Sequence, residues 1–396
     1  AERMRFWPFR GRRPAAPPVA PELVVTEDDL RRSVDDLLTV RGLEIRPGGI
    51  CAFRGELLVS PARALDVLLE RFRPFGYTPF LRASRDGVVV QAWPLAETTV
   101  PQRIGVNILL FVLTCASTLL AGLVYVGSPT FDALRSSPSA ARFLAGTPFA
   151  ATLMGILVVH EFGHYFTARY YKAAVSLPYF IPLPIGFGTL GAIIRMLSPG
   201  RDRNSLFDIA AAGPLAGLAV AVPAMLVGLA WSTIVPVPSG GYAEFGDSLL
   251  TGLLVQLRFG PIPDGHMLLT HPIADAAWAG FLVTALNLFP AGQLDGGRIA
   301  YALFGRYHRA IGKGTVVALL LFGVGSLLWN LVSGSGDVAS SINWFVWAGL
   351  ISFVVGFHHS PPLDDITPLT PGRRVLGVFC LLLIMLLTPP FIIRVR

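Results

Sequence analysis

The most informative polar residues of the sequence lie within an apolar stretch that begins at Gly155. His160, Glu161 and His164 follow Gly155-Ile-Leu-Val-Val in this stretch. Residues four apart on a helix are neighbours on one face, so the two imidazoles can point at one metal ion. An ionisable side chain in an apolar helix is costly unless it has a partner or a role. The pattern therefore predicts a metal site inside a membrane helix.

Glu161 indicates which chemistry such a metal site would perform. Zinc lowers the pKa of a bound water toward about 7, and a nearby carboxylate can take the proton. Glu161 directly follows the first histidine and is placed to act as this base. The three residues together predict metal-assisted hydrolysis.

Catalytic zinc usually has three protein ligands and one open position, so a third ligand is needed. The best candidate is Asp295, in Asn287-Leu-Phe-Pro-Ala-Gly-Gln-Leu-Asp295-Gly-Gly-Arg298. Pro290 and Gly292 break the helix there, and non-helical backbone at membrane depth occurs only inside protein or beside a cavity. By spacing alone, a loop aspartate that caps the next helix fits Asp295 equally well.

These motifs resemble the site-2 protease family of intramembrane zinc metalloproteases, in the bacterial branch related to plant chloroplast members. The resemblance covers residues 150 to 300 and is carried by His-Glu-Phe-Gly-His, Asn-Leu-Phe-Pro and Leu-Asp-Gly-Gly-Arg. It implies that His160, His164 and Asp295 bind one zinc ion per chain and that Glu161 is the catalytic general base. It departs from many relatives at Gly292-Gln293, where they carry prolines.

The resemblance also implies residues that handle the substrate. Asn287 is expected to be catalytic, by holding substrate or steadying the oxyanion. Residues 176–184 and 188–196 resemble the membrane-entering β-hairpin of the family. A strand edge can hold an unwound substrate by β-augmentation, although an ordinary amphipathic loop is the alternative. The residues expected to bind substrate are Gly188, Thr189, Leu190, Gly191, Ala192, Ile193, Ile194 and Arg195.

Composition independently indicates a membrane protein. Of the 396 residues 53% are hydrophobic and 14% are charged, whereas soluble domains carry about a quarter charged residues. The net charge of +7 resides on arginines at the N-terminus and beside apolar segments, which favours membrane orientation over nucleic-acid binding. The three cysteines show neither disulfide nor metal-ligand spacing.

The charge pattern predicts three regions along the chain. Residues 1–21 form a basic, Pro/Ala-rich tail, and residues 22–97 form a small soluble α+β domain. That domain is predicted to contain a helix from Glu27 through Leu38, a second helix over Pro61–Phe72 and two strands near Tyr77–Arg82 and Val88–Trp93. Residues 98–396 are predicted to form a transmembrane domain, which the resemblance implies to be a zinc protease.

The expected fold is a mainly α, polytopic bundle of about six to seven spans. Apolar segments of spanning length or close to it lie near 104–126, 148–170, 206–231, 273–291, 315–333, 342–357 and 374–393. Loops 169–204 and 292–313 carry most of the basic residues, so the positive-inside rule places the N-terminal domain in the cytoplasm. We therefore expect a multi-pass protein of the bacterial inner membrane.

The expected function is regulated intramembrane proteolysis of transmembrane or membrane-proximal substrate segments, with the bilayer and a membrane protein substrate as partners. The alternative is a non-catalytic scaffold or pseudoprotease that binds substrate helices, against which the retained Glu161 argues. A transporter would show inverted repeats, which the sequence lacks. The pairs His358-His359 and Asp364-Asp365 favour a solvated cytoplasmic loop over a second metal site. The sequence does not indicate an oligomeric state.

Overall fold

The computed structural model of the chain describes residues 27–94, 103–125, 144–238, 243–333 and 338–395. The predicted tail, residues 1–21, lies outside them. Contacts divide the chain into two compact units. The first runs to residue 96 without residues 80–83, and the second comprises residues 80–83 and 97–396.

The first unit is an antiparallel sheet with helices. In chain order it contains α1 (Glu27–Arg32), β1 (Leu38–Arg46), β2 (Ile50–Leu57), α2 (Pro61–Phe72), β3 (Thr78–Ser84) and β4 (Gly87–Trp93). The strands are arranged in the order β1-β2-β4-β3. Leu65, Leu68 and Phe72 of α2 and Phe53 of β2 are fully buried and form its core.

The sequence prediction was wrong for residues 33–57. The first helix ends at Arg32 rather than at Leu38, and residues 38–57 form two strands that were not predicted. Leu30, Val34, Leu37 and Leu38 are nevertheless all buried. Their helical spacing is satisfied by one short helix followed by a turn, because several local conformations can direct the same apolar residues inward.

The second unit is mainly helical. Its helices are α3 (Ile104–Tyr125), α4 (Thr147–Tyr170), α5 (Arg203–Ala230), α6 (Leu249–Phe259), α7 (Pro272–Leu288), α8 (Asp295–Phe304), α9 (His308–Val332), α10 (Val338–Leu350) and α11 (Pro371–Leu387). Its strands are β5 (Tyr179–Pro182), β6 (Thr189–Ile193), β7 (Thr233–Pro236), β8 (Ala243–Phe245), β9 (His266–Leu269) and β10 (Ile393–Val395). They pair as three two-stranded sheets, β5-β6, β7-β9 and β8-β10.

Four helical segments among the described residues are long and apolar enough to cross a membrane. They are Ile104–Leu123, Thr147–Tyr170, Arg203–Ala230 and Asp295–Val332. Other predicted spans correspond to shorter helices, among them Pro272–Leu288 and Ser341–Val355. A short helix spans only part of a hydrocarbon core about 30 Å thick, so the count of six to seven stays a prediction.

Small residues bring α4, α5 and α7 into close contact. A Cβ at Gly163 of α4 would lie 2.8 Å from the carbonyl oxygen of Ala212 in α5. A Cβ at Gly228 would lie 2.3 Å from the backbone nitrogen of Ala274 in α7. Backbones approach this closely in membrane bundles where glycine and alanine line the interface. The three helices form the core in which the polar residues of α4 are enclosed.

Candidate metal centre

His160 and His164 lie on the inner face of α4 with both rings buried. Their Nε2 atoms are 3.2 Å apart, and the ring centroids are 4.9 Å apart. One helical turn separates the two residues, so the helix itself sets this distance. The pair supplies two nitrogen ligands that point toward the same position.

Asp295 joins the two histidines although it lies over a hundred residues further along the chain. Its Oδ2 atom is 3.1 Å from Nε2 of His164 and 3.5 Å from Nε2 of His160. The three ligand atoms lie within 4.8 Å of one another and could hold a metal ion. The structure thus brings together the three residues that the sequence suggested as ligands.

The turn between α7 and α8 carries Asp295 to this position. Gly292 in this turn has a φ of +48°, a conformation that favours glycine. A Cβ at Gly296 would lie 1.7 Å from the carbonyl oxygen of Leu288, so the start of α8 rests directly against the end of α7. The Gly-Gly pair after Asp295 is therefore required by this close backbone approach.

Helix α5 forms the wall behind the histidine rings. A Cβ at Gly213 would lie 2.1 Å from Nε2 of His164, and one at Gly217 would lie 3.2 Å from Nδ1 of His160. A side chain at Gly213 would therefore overlap the ligand atom itself. The two glycines give the rings the room that they occupy.

The backbone of α5 also fixes the orientation of His164. Nδ1 of His164 lies 2.6 Å from the carbonyl oxygen of Ile209, which can only accept a hydrogen bond. Nδ1 therefore carries a proton, and Nε2 is the ring nitrogen that faces the other two candidate ligands. Metal-binding histidines commonly donate their other nitrogen in this way. Two imidazole nitrogens and one carboxylate oxygen that converge like this fit a metal ion.

Glu161 and Asn287 are the two further residues that the sequence suggested for catalysis. Glu161 is 3% exposed and lies directly beside the first histidine on α4. The amide Nδ2 of Asn287, near the end of α7, lies 3.4 Å from Nε2 of His160. Both residues thus lie in or next to the cluster.

The segment predicted as a membrane-entering hairpin contains the antiparallel β5-β6 pair, and its entry into the membrane stays a prediction. Ile193 pairs with Tyr179, and Thr189 pairs with Pro182. The strand itself is Thr189–Ile193, shorter than the predicted 188–195. Beyond it the backbone of Arg195 still exchanges hydrogen bonds with Ser176. Within the described residues β6 pairs with β5 alone, so its other edge has no partner strand.

Polar residues of α3, which the sequence analysis did not single out, hold this hairpin in place. Nδ2 of Asn107 donates to the carbonyl oxygen of Pro178 at 2.9 Å. Oγ of Ser117 donates to the carbonyl oxygen of Gly188 at 2.6 Å. A polar residue inside an apolar span was the available signal, because it needs a partner there.

The interpretation of residues 358–365 as a solvated loop was wrong for two of the four polar residues. His359 is 7% exposed and Asp364 is 1% exposed. The burial of Asp364 is tolerated because its carboxylate accepts hydrogen bonds from the backbone N–H groups of Ile366 and Thr367. Burial lowers the pKa of His359 to about 4, and its Nδ1 donates to the carbonyl oxygen of Ser360. In the described part of the chain, none of these residues joins a group of three metal ligands.

The region that contains the cluster of His160, His164 and Asp295 is similar to known proteins. Residues 148–331 match the model of peptidase family M50. The probable zinc metalloprotease EGY2, chloroplastic, of Oryza sativa subsp. indica is 33% identical over 375 residues, covering 90% of this chain and 64% of that protein. The probable zinc metalloprotease EGY1, chloroplastic, of Arabidopsis thaliana is 34% identical over 255 residues, covering 62% of this chain and 43% of that protein.

Among solved structures, the site-2 protease from Methanocaldococcus jannaschii aligns with a TM-score of 0.29 at 19% identity, covering 61% of this chain and 91% of that one. The chain spans less than two thirds of the length of the curated relatives named above. The segment that matches the family model includes His160, His164, Asn287 and Asp295. Residues 148–331 are therefore similar to peptidase family M50, and the chain aligns with proteins that are named probable zinc metalloproteases.

Proposed function

We propose that this chain is an intramembrane zinc metalloprotease that hydrolyses peptide bonds in transmembrane or membrane-proximal segments of its substrates. The observation that carries the proposal is the buried cluster of His160, His164 and Asp295 within apolar helices. Relatives that align with 90% of the chain are named as probable zinc metalloproteases, which supports zinc as the metal.

Each residue of the cluster has a defined part in this proposal. The two histidines and Asp295 would hold zinc, which when bound would lower the pKa of the attacking water. The carboxylate of Glu161 accepts the proton of that water and delivers a proton to the leaving amine. Asn287, which reaches the cluster from α7, steadies the carbonyl oxygen of the scissile bond.

The hairpin can supply hydrogen-bond partners to the backbone of an unwound substrate. The peptide bonds of a transmembrane helix are hydrogen-bonded and shielded, so the segment must unwind before it can be attacked. Freed N–H and C=O groups each cost about 1–3 kcal/mol if they remain unpaired. The outer edge of β6, from Gly188 to Arg195, can pair with the unwound backbone whatever its side chains are.

The location of the protein is part of the same proposal. The named relatives are chloroplastic, and for this chain we propose the bacterial inner membrane. Basic residues in the segments 169–204 and 292–313 support a cytoplasmic position for the N-terminal domain, residues 22–97. The described part of that domain, residues 27–94, contributes no residue to the metal centre, and we propose that the domain selects substrates.

The variant Glu161→Gln tests the proposal most directly. Wild type and variant would be purified at full length, analysed for bound metal, and given a single-pass transmembrane substrate in liposomes. We expect about one zinc per chain in both proteins, because glutamine leaves the ligands intact. Cleavage by the variant should be slower by about 10²–10⁴-fold, because an amide cannot accept the proton.

Three outcomes would contradict the proposal. Wild-type protein that stays metal-free when prepared with zinc and without chelators would exclude a zinc enzyme. A variant that cleaves at the wild-type rate would show that Glu161 is not the base. A scaffold without catalytic activity would give bound zinc and substrate binding with no cleavage in either protein.

A further inference from the structure

The turn that presents Asp295 has little support of its own. Its backbone hydrogen bonds are local, from Ala291 to the carbonyl of Phe289 and from Leu294 to the carbonyl of Ala291. Helix α8 also begins without a side-chain cap at Leu294. Besides the close approach of α8 to the end of α7, the direction in which Asp295 points therefore depends on contacts that other parts of the chain make with the turn and with α8.

One stretch, residues 356–365, supplies several of these contacts, and we name it the crossover segment because it connects α10 to α11. The carbonyl oxygen of Gly356 would lie 2.4 Å from a Cβ at Gly292, so the two backbones touch. Nε2 of Gln293 donates to the carbonyl oxygen of His358 at 3.0 Å. The crossover segment thus contacts the turn at Gly292 and Gln293, just before the candidate metal ligand Asp295.

The same segment also holds α8 and the start of α5. The hydroxyl of Tyr301 in α8 donates to Oδ2 of Asp365 at 3.0 Å. Nε of Arg203, the first residue of α5, donates to Oδ1 of the same carboxylate at 2.8 Å. A single carboxylate therefore joins the helix of Asp295 to the helix whose Ile209 carbonyl orients His164.

We infer that the crossover segment is a positioning device for the metal centre, with Gln293 and Tyr301 as its positioning residues. These residues act through Asp295: they fix the start of α8 so that the carboxylate meets the two histidines at ligand distance. This inference rests on the proposed function. It adds that metal affinity is set partly by a segment over sixty residues beyond Asp295 in the sequence.

The test compares zinc affinity in four full-length variants. Gln293→Met removes one donor at nearly constant size, and Tyr301→Phe removes one hydroxyl. The matched controls are Gln256→Met, at an exposed position of α6, and Tyr307→Phe, at an exposed tyrosine near α8. Purified protein would be stripped of metal and titrated with zinc against a competing chelator.

We expect each positioning variant to bind zinc about 10-fold more weakly than wild type, the lower end of what outer residues of metal sites contribute. Both controls should match wild type. The visible spectrum of the cobalt-substituted protein provides a second reading, since it reports the geometry around the ion. It should change in the two positioning variants and not in the controls.

The inference is overturned if the positioning variants match the controls in both zinc affinity and cobalt spectrum. It is also overturned if affinity falls only in step with the thermal stability of the metal-free protein, because that result indicates general destabilisation. His164→Ala, measured in parallel, separates this inference from the function itself. Undiminished zinc binding by that variant would refute the assignment of the centre.

Discussion

The hydrogen atom that stands in place of a side chain at Gly213 leaves room for the ligand atom of His164. A glycine within an apolar helix costs about 1 kcal/mol relative to alanine. Here that cost is offset by a contact that alanine would not permit, because the Cβ would come within 2.1 Å of Nε2. The metal centre is thus defined by an absent side chain as well as by its ligands.

Gly213→Ala should therefore weaken zinc binding by about 10-fold or more, since either the ring or the helix must move. Zinc per chain and zinc affinity would be measured in the purified protein. Gly314→Ala is the matched control, because a Cβ there has no atom within 4 Å. Equal zinc affinity in the two variants would show that α5 can move away from the ring of His164 without weakening zinc binding.

At the scale of elements, the hairpin has one paired edge and one edge without a partner strand among the described residues. Its position is fixed from two sides. Asn107 and Ser117 hold it against α3, and the ring of Phe187 lies 5.9 Å from that of Trp278 in α7. An element held in this way presents the same backbone groups to each substrate.

Proline substitution can show whether that edge is used. Successive N–H groups of a strand point to opposite edges, so one of Ala192→Pro and Ile193→Pro removes a donor from the outer edge. We expect that variant to cleave a transmembrane substrate more slowly while its zinc content is unchanged. Ile194→Val, which keeps the backbone donor, serves as control. If all three variants cleave equally fast, substrate is held elsewhere.

The elements also show what could be predicted from the sequence. The mainly helical fold and the similarity to zinc metalloproteases were predicted, because apolar length and motif spacing depend on local sequence. His160, His164 and Asp295 were selected from residue type, apolar context and resemblance, and the structure brings them within ligand distance. The hydrogen bond from His164 to the carbonyl oxygen of Ile209 could not be predicted, because a backbone carbonyl gives no signal in the sequence. Asp365 appeared only as part of a solvated loop, because its partners are set by the fold.

At the scale of the whole molecule, the four candidate spans and the metal centre all belong to the second unit. The first unit has its own sheet and its own buried core. Nothing in its described part supplies a ligand to the cluster of His160, His164 and Asp295. The proposed hydrolysis can therefore be tested in a chain that lacks the first unit.

A truncated chain that begins at Thr99 should keep zinc and still cleave a model transmembrane substrate in detergent. A companion variant that begins at Phe80 retains the four residues that cluster with the second unit. Rates would be compared with the full-length protein on the same substrate. Complete loss of cleavage in both variants, with zinc bound and the fold intact, would mean that the first unit takes part in catalysis.

The anchoring of the hairpin to α3 has a consequence for where a substrate would be cut. The hydrogen bond from Ser117 to Gly188 fixes the start of β6 against α3, which in turn packs against α4 with its two histidines, so β6 has a constant offset from the metal centre. An extended chain advances about 3.3 Å per residue, so a constant offset becomes a constant number of residues. Such a protease would cut at a fixed number of residues from the substrate segment that β6 holds. Moving a substrate sequence by one residue relative to the membrane surface should move the cut by one residue in the opposite direction along that sequence.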